Sequence, residues 1–579
     1  MKKKLKTVAI LLSMVFAVSS LSACGGSSSG SSSDNGNTGS SAAGSDNTAA
    51  AETAGSSDDT ADSNDSGSEG AVTLTAWVPD NIRIEDWNTN AMTLYLEEQT
   101  GYDLEMVPLS SEDYTTKVNM ALTAGSPDEL PDIIFSGGFS DSSVWSWAEA
   151  GSILPLTDYY NDPELAVNIN EAKERTGVDY TQQIVSPDGN IYGVATYNQS
   201  YGNEYFSKLW IYQPWLEALG QEVPTTTEEF YELLKLVAET DLNGNGKKDE
   251  IGMLGSVGMY SAYWKVLMSA FAYAGDPQYR VVEDGSVSAA YTTDEWKEGL
   301  RYLKQMFDEG LIAPESLTMS DEQFKTLINS EDPTVFSFVY AAADMVESGT
   351  DRQTDYVCID TLTGPEGINY SIYTPSVASI AMVVTSNCSN PEAAFRIGDL
   401  LSSEYIGISQ RWGEEGVDWD YAENVENISD YVSSVEGFNL SIVAYDDAAF
   451  WGGTEVTNGS WRQTGPYVRQ YGIANGLGII AGGSDVYTQL FNEAASLYQT
   501  AGHQPAEVIP KLIYTTEESD AIAEIESVLK TYVDENMASF VTGSKDIDAD
   551  WDSYLAEIDN IGLSQYLEVV QTAYDRMYK

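Results

Sequence analysis

The feature that most constrains the fold is an alternation of short apolar strands and amphipathic helices that begins just after residue 70. Residues 72–77 and 101–107 are predicted strands, because they alternate apolar and polar side chains. Residues 90–99 and 114–124 have helical periodicity, and 132–135 are a short apolar strand. This alternation predicts an α/β sheet that binds ligands at the carboxyl ends of its strands.

The same alternation continues along the rest of the chain. The later predicted helices are 227–239, 293–309, 517–540 and 551–578, with breaks at Gly543 and Gly562, and the later predicted strands are 334–340 and 380–385. Roughly 500 residues follow residue 70, which is enough chain for two or more lobes.

The N-terminus has the organisation of an export signal. Four lysines among the first six residues precede an apolar stretch over 8–18, which is too short to span a bilayer. Residues 21–24 (LSAC) resemble the bacterial lipobox, so residues 1–23 are the predicted signal peptide and Cys24 is the predicted lipidation site. An ordinary signal peptide with a chance cysteine is the alternative.

Residues 24–70 are predicted to be a disordered linker. After Cys24 the segment is mostly Ser, Gly, Ala, Thr, Asn and Asp, and it has no aromatic residue, Lys or Arg. Such a composition buries too little apolar surface to offset the entropy lost on ordering. A flexible tether of this length spans about 35–40 Å, so it would hold the body, residues 71–579, near a membrane.

Composition excludes several function classes. The net charge of −62 argues against nucleic-acid ligands and anionic membrane surfaces, which need a basic footprint. His503 is the only histidine, so histidine-based catalytic triads and zinc sites have a single candidate residue, and its loop context predicts a surface position. The sequence leaves open whether Cys358 and Cys388 pair.

Several short motifs follow one another in a family-specific order. They lie at 130–134 (LPDII), 150–156 (AGSILPL), 188–193 (DGNIYG), 215–220 (WLEALG), 223–230 (VPTTTEEF), 241–251 (DLNGNGKKDEI), 309–315 (EGLIAPE), 390–394 (NPEAA), 413–419 (GEEGVDW), 540–543 (FVTG) and 551–554 (WDSY). In this order the chain resembles family 1 extracellular solute-binding proteins of carbohydrate ABC importers, within the large branch that includes alginate-oligosaccharide binders.

The resemblance implies a two-lobed, type II periplasmic-binding-protein-like α/β fold with the ligand cleft between the lobes. It implies lobe 1 at about 71–208 and 365–445, and lobe 2 at about 209–364 and 446–579. The implied function is carbohydrate capture and delivery to the permease subunits of an ABC importer, by a monomer with no enzymatic activity. The implied location is the extracellular face of the cell membrane, through the lipid anchor. A receptor for a peptide or other non-sugar solute on the same fold and, less favoured, a surface glycoside hydrolase are the alternatives.

The segment 241–250 predicts a structural calcium site. Oxygen side chains at alternate positions, with Gly246 at the sixth, are the pattern of an EF-hand-type loop. The twelfth position is Gly252 where an EF-hand has Glu, so two later carboxylates must complete the shell. The predicted Ca²⁺ ligands are Asp241, Asn243, Asn245, Lys247 through its carbonyl, Asp249 and Glu250. The resemblance agrees, since family members hold calcium in a similar loop, and a solvated turn is the alternative.

Candidate ligand contacts are aromatic and polar residues in loops after the predicted strands. Saccharides present apolar CH faces to aromatic rings and hydroxyls to polar side chains. The predicted contacts are Trp77, Asp80, Ser136, Trp145, Tyr201, Tyr263, Trp264, Asp344, Trp451 and Trp461.

Overall fold

The computed structural model describes residues 72–125, 130–258, 263–347, 350–432, 440–445, 455–480, 486–509 and 511–579. The predicted signal peptide, Cys24, the linker and Trp451 lie outside these ranges. Residues Val72–Lys579 form one unit by backbone proximity. Within the described ranges, no helix combines the length and apolar character needed to cross a membrane.

The strands are numbered in chain order. They are β1 Thr73–Pro79, β2 Asp103–Leu109, β3 Ile133–Phe135, β4 Val194–Asn198, β5 Lys208–Tyr212, β6 Ile251–Leu254, β7 Arg280–Glu283, β8 Ser286–Ala289, β9 Val335–Tyr340, β10 Tyr356–Ile359, β11 Ser379–Val384, β12 Trp419–Tyr421, β13 Ile428–Val432, β14 Ile442–Ala444, β15 Val468–Arg469 and β16 Leu477–Ile480.

The helices are numbered in the same way. They are α1 Ala91–Thr100, α2 Tyr114–Ala124, α3 Asp141–Glu149, α4 Thr157–Tyr160, α5 Val167–Thr176, α6 Tyr201–Glu204, α7 Gln213–Leu219, α8 Thr227–Glu239, α9 Tyr263–Met268, α10 Asp294–Asp308, α11 Asp321–Ile328, α12 Asp351–Asp355, α13 Pro391–Leu401, α14 Glu404–Trp412, α15 Tyr471–Asn475, α16 Val486–Ala501, α17 Thr516–Val541, α18 Ile547–Ile561 and α19 Leu563–Tyr578. Short 3₁₀ turns connect several of them.

Lobe 1 is built on a six-stranded sheet with the strand order β15-β4-β11-β3-β1-β2. Strand β1 runs parallel to β2 and β3, whereas β11 is antiparallel to both β3 and β4. Helices cover the apolar faces of this sheet, and the buried side chains of β1, β3 and β11 form the centre of its core. This is the α/β sheet that the first strands and helices of the sequence predict.

Lobe 2 has its own four-stranded sheet, in the order β10-β5-β9-β6, and a separate core. Helix α8 shows how the sequence fixes its elements. Thr226 caps the helix and forms a capping box with Glu229, which satisfies amide groups that would otherwise have no partner. Its buried residues Phe230, Leu234 and Val237 then face the lobe 2 core.

The predicted lobe boundaries need two corrections in the C-terminal half. The prediction places residues 446–579 in lobe 2, but Trp461 and Val468 pack in the lobe 1 core. The reason is that β15 pairs in parallel with β4. A small third core around Trp419 lies beside β12, β14 and β16, and lobe 2 resumes in α16. Ile372 also belongs to the lobe 2 core, so the earlier return to lobe 1 lies after 372 rather than at 365.

The predicted secondary structure is otherwise confirmed. Each helix and strand predicted from periodicity is present with bounds within a few residues. The predicted break at Gly562 separates α18 from α19, and its φ of 118° is one that residues with a Cβ rarely adopt.

Candidate functional site

The strands of lobe 1 converge on one edge of their sheet. Since β1, β3, β4 and β15 all run in one direction, their carboxyl ends lie at the same edge. The residues that follow them are Asp80, Ser136, Gln199 and Gln470. In α/β sheets this edge is where ligands bind.

The chain leaves lobe 1 from this same edge. Residues 199–207 join β4 to β5, and residues 360–378 return from β10 to β11. In lobe 2, β6, β9 and β10 end at the edge where β5 begins. The space between the two edges is therefore the cleft, and 199–207 and 360–378 are two of its crossings. Further along the chain, Leu490 and Ala494 of α16 pack in the lobe 2 core.

A stacked tyrosine pair and a buried carboxylate lie where the first crossing meets the helix that follows β15. The rings of Tyr201 and Tyr471 stack with centroids 4.3 Å apart. Glu204 accepts hydrogen bonds through Oε1 from the Tyr471 hydroxyl (2.7 Å) and from the Ser376 hydroxyl (2.6 Å). Burial raises the pKa of Glu204, and these hydrogen bonds oppose that shift only in part. Loop 199–207 thus presents the half-buried Tyr201 ring beside a desolvated acid.

A second aromatic group lies at the end of β15. The Arg469 guanidinium lies over the Tyr467 ring at 4.5 Å and over the Trp412 ring at 5.6 Å. The Gln463 amide donates to the Tyr467 hydroxyl at 3.1 Å. Tyr467 and Gln463 are half-buried, so the group offers a ligand an aromatic face and an amide, which suit polyhydroxylated ligands. Arg469 is 3% exposed and supports the two rings from within the lobe.

Glu204, Trp412, Tyr467, Arg469 and Tyr471 were not among the predicted contacts. Tyr467, Arg469 and Tyr471 reach this edge through the pairing of β15 with β4, which a two-residue strand does not reveal in advance.

The structure brings some of the predicted contacts to the cleft. Asp80 is exposed after β1, and Ser136 lies after β3, where its hydroxyl accepts from the Gly465 amide at 2.8 Å. Ser136 has a φ of 51°, an unusual backbone conformation for a residue with a Cβ. Tyr201 lies on the first crossing. Asp344 follows β9 in the short turn Ala343–Met345 at the facing edge of lobe 2.

Other predicted contacts are in the cores instead. Trp461 is 0% exposed, and its indole donates to the Thr93 hydroxyl at 2.9 Å. Tyr263 is buried in lobe 2, and Trp264 packs edge-on against Tyr279 and Trp296. Packing and, for Trp461, the hydrogen bond to Thr93 account for these positions, and neither Trp461 nor Tyr263 has an exposed face to offer a ligand.

Trp77 and Trp145 are intermediate cases. Both are half-buried and pack against the lobe 1 core, Trp77 within β1 and Trp145 on α3. Trp451, predicted from its glycine-rich context, lies outside the described residues.

The predicted calcium loop is ordered by its own hydrogen bonds. Oδ2 of Asp241 accepts from the Gly246 amide at 2.9 Å, and Oδ1 of Asn245 accepts from the Lys247 amide at 2.9 Å. The Asn245 side chain donates to Asp249 at 3.1 Å. Oε1 of the buried Glu250 accepts from the Leu242 amide at 2.6 Å, but its Oε2 has no hydrogen-bond partner among the residues that the structure describes. No group of three or more Asp, Glu, His or Cys side chains anywhere in the described ranges is placed to hold a metal ion.

The two cysteines of the body and the single histidine are held by burial or by hydrogen bonds. Cys358 in lobe 2 and Cys388 in lobe 1 are free thiols, and burial raises the pKa of each to about 12. His503 is not simply a surface residue as expected. Its Nδ1 lies 2.6 Å from the Thr361 hydroxyl, and its Nε2 lies 3.2 Å from the Asn369 amide, both in the second crossing.

Solved structures and known sequences resemble the whole body. Over 502 residues the chain is 27% identical to the fructooligosaccharide ABC transporter substrate-binding protein FusA of Streptococcus pneumoniae, covering 85% of this chain and 88% of FusA. An HMO-binding ABC-transporter-associated solute-binding protein of Bifidobacterium longum infantis superposes with a TM-score of 0.70 at 20% identity, covering 88% and 99%.

An EF-hand mutant of S. pneumoniae FusA in complex with fructo-nystose gives a TM-score of 0.64 at 23% identity, covering 87% and 99%. These likenesses confirm the predicted two-lobed α/β fold. Residues 84–404, more than half of the 579, match the family model described as bacterial extracellular solute-binding protein, and the chain therefore belongs to that family.

Proposed function

We propose that the chain is the receptor of an ABC importer, capturing an oligosaccharide in its cleft and delivering it to the membrane permease. The observation that carries the proposal is the convergence of the half-buried residues Tyr201, Tyr471, Tyr467 and Gln463 on the edge where the lobe 1 strands end. Two stacked phenol rings offer an apolar platform for a sugar face, and the phenol and amide groups match ring hydroxyls.

The relatives support the same ligand class. FusA, which aligns over most of the chain, is described as a fructooligosaccharide ABC transporter substrate-binding protein, and an EF-hand mutant of the same protein was solved with fructo-nystose. FusA is described as a binding protein, so we propose that this chain also binds its ligand without chemical turnover. The single histidine, held by Thr361 and Asn369 at the crossing, supports that proposal.

Isothermal titration calorimetry of the body, residues 71–579, tests the function. The panel contains kestose, fructo-nystose, an alginate oligosaccharide and a tripeptide, with Ca²⁺ present. We expect saturable binding of at least one saccharide and unchanged saccharide by chromatography after overnight incubation. Binding of the peptide alone would favour a peptide receptor, and new products would favour a hydrolase.

We also propose that loop 241–250 holds a structural Ca²⁺ ion. The support is chemical: Glu250 is buried with one carboxylate oxygen that has no partner, and buried unsatisfied oxygens are costly. Asp241, Asn243, Asn245, Asp249, Glu250 and the Lys247 carbonyl would supply oxygen ligands, which Ca²⁺ prefers. The ion would stabilise lobe 2 locally and takes no part in ligand chemistry.

We further propose that Cys24 carries the lipid anchor and that the 24–70 linker tethers the body to the extracellular face of the membrane as a monomer. The lipobox-like residues 21–24 support this. Mass spectrometry of the membrane fraction tests it. A mature N-terminus at Cys24 bearing a diacylglyceryl group is expected, and Cys24→Ala should release the protein into the medium.

A further inference from the structure

Glu204 is an acidic residue buried without a cation. It is 3% exposed, and within the described residues it has no ion pair with Lys, Arg or His. The titratable groups that face it are the hydroxyls of five tyrosines from β4, the two crossings and α15. They are Tyr197, Tyr201, Tyr205, Tyr373 and Tyr471. Burying a carboxylate without a counter-charge is unfavourable, so its position calls for a local reason.

One oxygen of Glu204 joins three separate segments. Oε1 accepts from the Ser376 hydroxyl at 2.6 Å, from the Ser376 amide at 3.3 Å and from the Tyr471 hydroxyl at 2.7 Å. Its backbone carbonyl accepts from the Thr374 amide at 2.8 Å. Glu204 lies in the first crossing, Thr374 and Ser376 in the second, and Tyr471 begins the helix that follows β15. The residue therefore connects both described crossings to the strand edge of lobe 1.

The opposite side of α6 is also fixed by packing. Gly202 lies so close to the Phe491 ring of α16 that an added Cβ would meet that ring at 1.8 Å. Helix α6 is thus held between α16 of lobe 2 and the Ser376 segment. The Tyr201 ring of this helix is restricted further because it stacks on Tyr471. The Tyr471 hydroxyl in turn donates a hydrogen bond to Glu204.

We infer that Glu204 is a positioning residue for ligand binding, holding the Tyr201–Tyr471 pair and the two crossings in the binding-competent arrangement before the ligand arrives. This rests on the proposed function, because it assigns the tyrosine pair to ligand contact. Pre-organisation of this kind strengthens binding by removing the entropy cost of ordering the site. The ligand does not need to touch Glu204.

Two substitutions of Glu204 distinguish the loss of its negative charge from the loss of its hydrogen-bond acceptor. Glu204→Gln keeps a carbonyl oxygen that can accept all three hydrogen bonds, whereas Glu204→Ala removes the acceptor. We expect Glu204→Ala to weaken the affinity for the saccharide bound by the unaltered chain at least tenfold, and Glu204→Gln to stay within about threefold. Tyr471→Phe and Ser376→Ala each remove one donor and should have intermediate effects, which keeps the inference testable if the alanine variant misfolds.

Hydrogen-exchange mass spectrometry of the ligand-free body gives a readout that needs no ligand. Glu204→Ala should accelerate exchange in peptides covering 199–207 and 371–378, whereas Glu204→Gln should leave them protected. If the unaltered chain binds no saccharide, the proposed function fails. If Glu204→Ala changes neither exchange nor affinity, or if Glu204→Gln is as damaging as Glu204→Ala, the positioning role is overturned.

Discussion

Lys511 of lobe 2 forms an ion pair with Asp141 of lobe 1, with 2.8 Å between Nζ and Oδ1. The same ammonium donates to the Ala378 carbonyl at 2.9 Å. One lysine therefore contacts both the first helix after β3 and the segment that leads into β11. These contacts tie the start of the C-terminal helices to lobe 1.

The ion pair predicts a small and salt-sensitive coupling. Asp141 is about one-third exposed, so screening limits the pair to about 0.5–1 kcal/mol. A double-mutant cycle with Asp141→Asn and Lys511→Met, followed by thermal melting, should give a coupling of that size that declines in 0.5 M NaCl. Glu392 with Arg396 on α13 is the control pair within one lobe. A coupling that high salt leaves unchanged would contradict this account.

The tyrosine pair predicts a large loss of affinity on ring removal. Tyr201→Ala removes the half-exposed ring that we assign to sugar stacking, and aromatic contacts contribute about 0.5–1.5 kcal/mol beyond their buried area. The dissociation constant of the bound saccharide should rise at least tenfold in calorimetry. Tyr532→Ala is the matched control, because Tyr532 stacks on Tyr554 in lobe 2, away from the cleft. Equal losses in both variants would show that the effect is structural.

The sequence predicts those parts of the structure that local side-chain patterning determines, and it does not predict those that depend on pairing between distant segments. Local periodicity predicted β1, α2 and β9 with small errors, because side-chain patterning and capping determine them within a few residues. The position of Asp80 and Ser136 at the sheet edge could be predicted for a related reason, since residues after parallel strands meet at one edge.

The residue positions that the sequence does not predict depend on pairing between segments that are distant in the chain. Trp461 has the loop context of a ligand residue, yet the β15–β4 pairing carries its segment against Phe135 and Trp87 in the lobe 1 core. The same pairing brings Tyr471 to Tyr201, 270 residues away in sequence. Neither contact leaves a trace in local composition.

Glu204 predicts an unusual pH dependence of stability. Its pKa is raised in the folded protein, chiefly by burial, so the folded state binds a proton more readily than the unfolded state. The stability that this residue contributes should therefore increase as pH falls through its raised pKa towards the ordinary value of 4.5. Above that raised pKa the buried charge is a cost.

Glu204→Gln removes that dependence. In melts between pH 8 and pH 5, the variant should gain most over the unaltered chain at the highest pH, and the gain should shrink on acidification. Glu568→Gln on the exposed face of α19 is the control, and the difference between the two variants isolates the buried site. A gain that is independent of pH would contradict the assignment.

The 241–250 loop predicts stabilisation by calcium. A site that binds only the folded state adds about 2.7 kcal/mol when the free ion is a hundredfold above its dissociation constant. EDTA should therefore lower the melting temperature, and added Ca²⁺ should restore it, while Mg²⁺ should restore less because it demands a tighter octahedral shell.

Glu250→Gln sharpens this test. It keeps an acceptor for the Leu242 amide but replaces the charged oxygen that lacks a partner, so the calcium-dependent shift should shrink sharply. Glu239→Gln, at the end of α8 and outside the loop, should leave the shift intact. If EDTA does not change the melting temperature of the unaltered chain, the loop holds no stabilising ion, and hydrogen bonds such as that from Gly246 to Asp241 would be sufficient to order it.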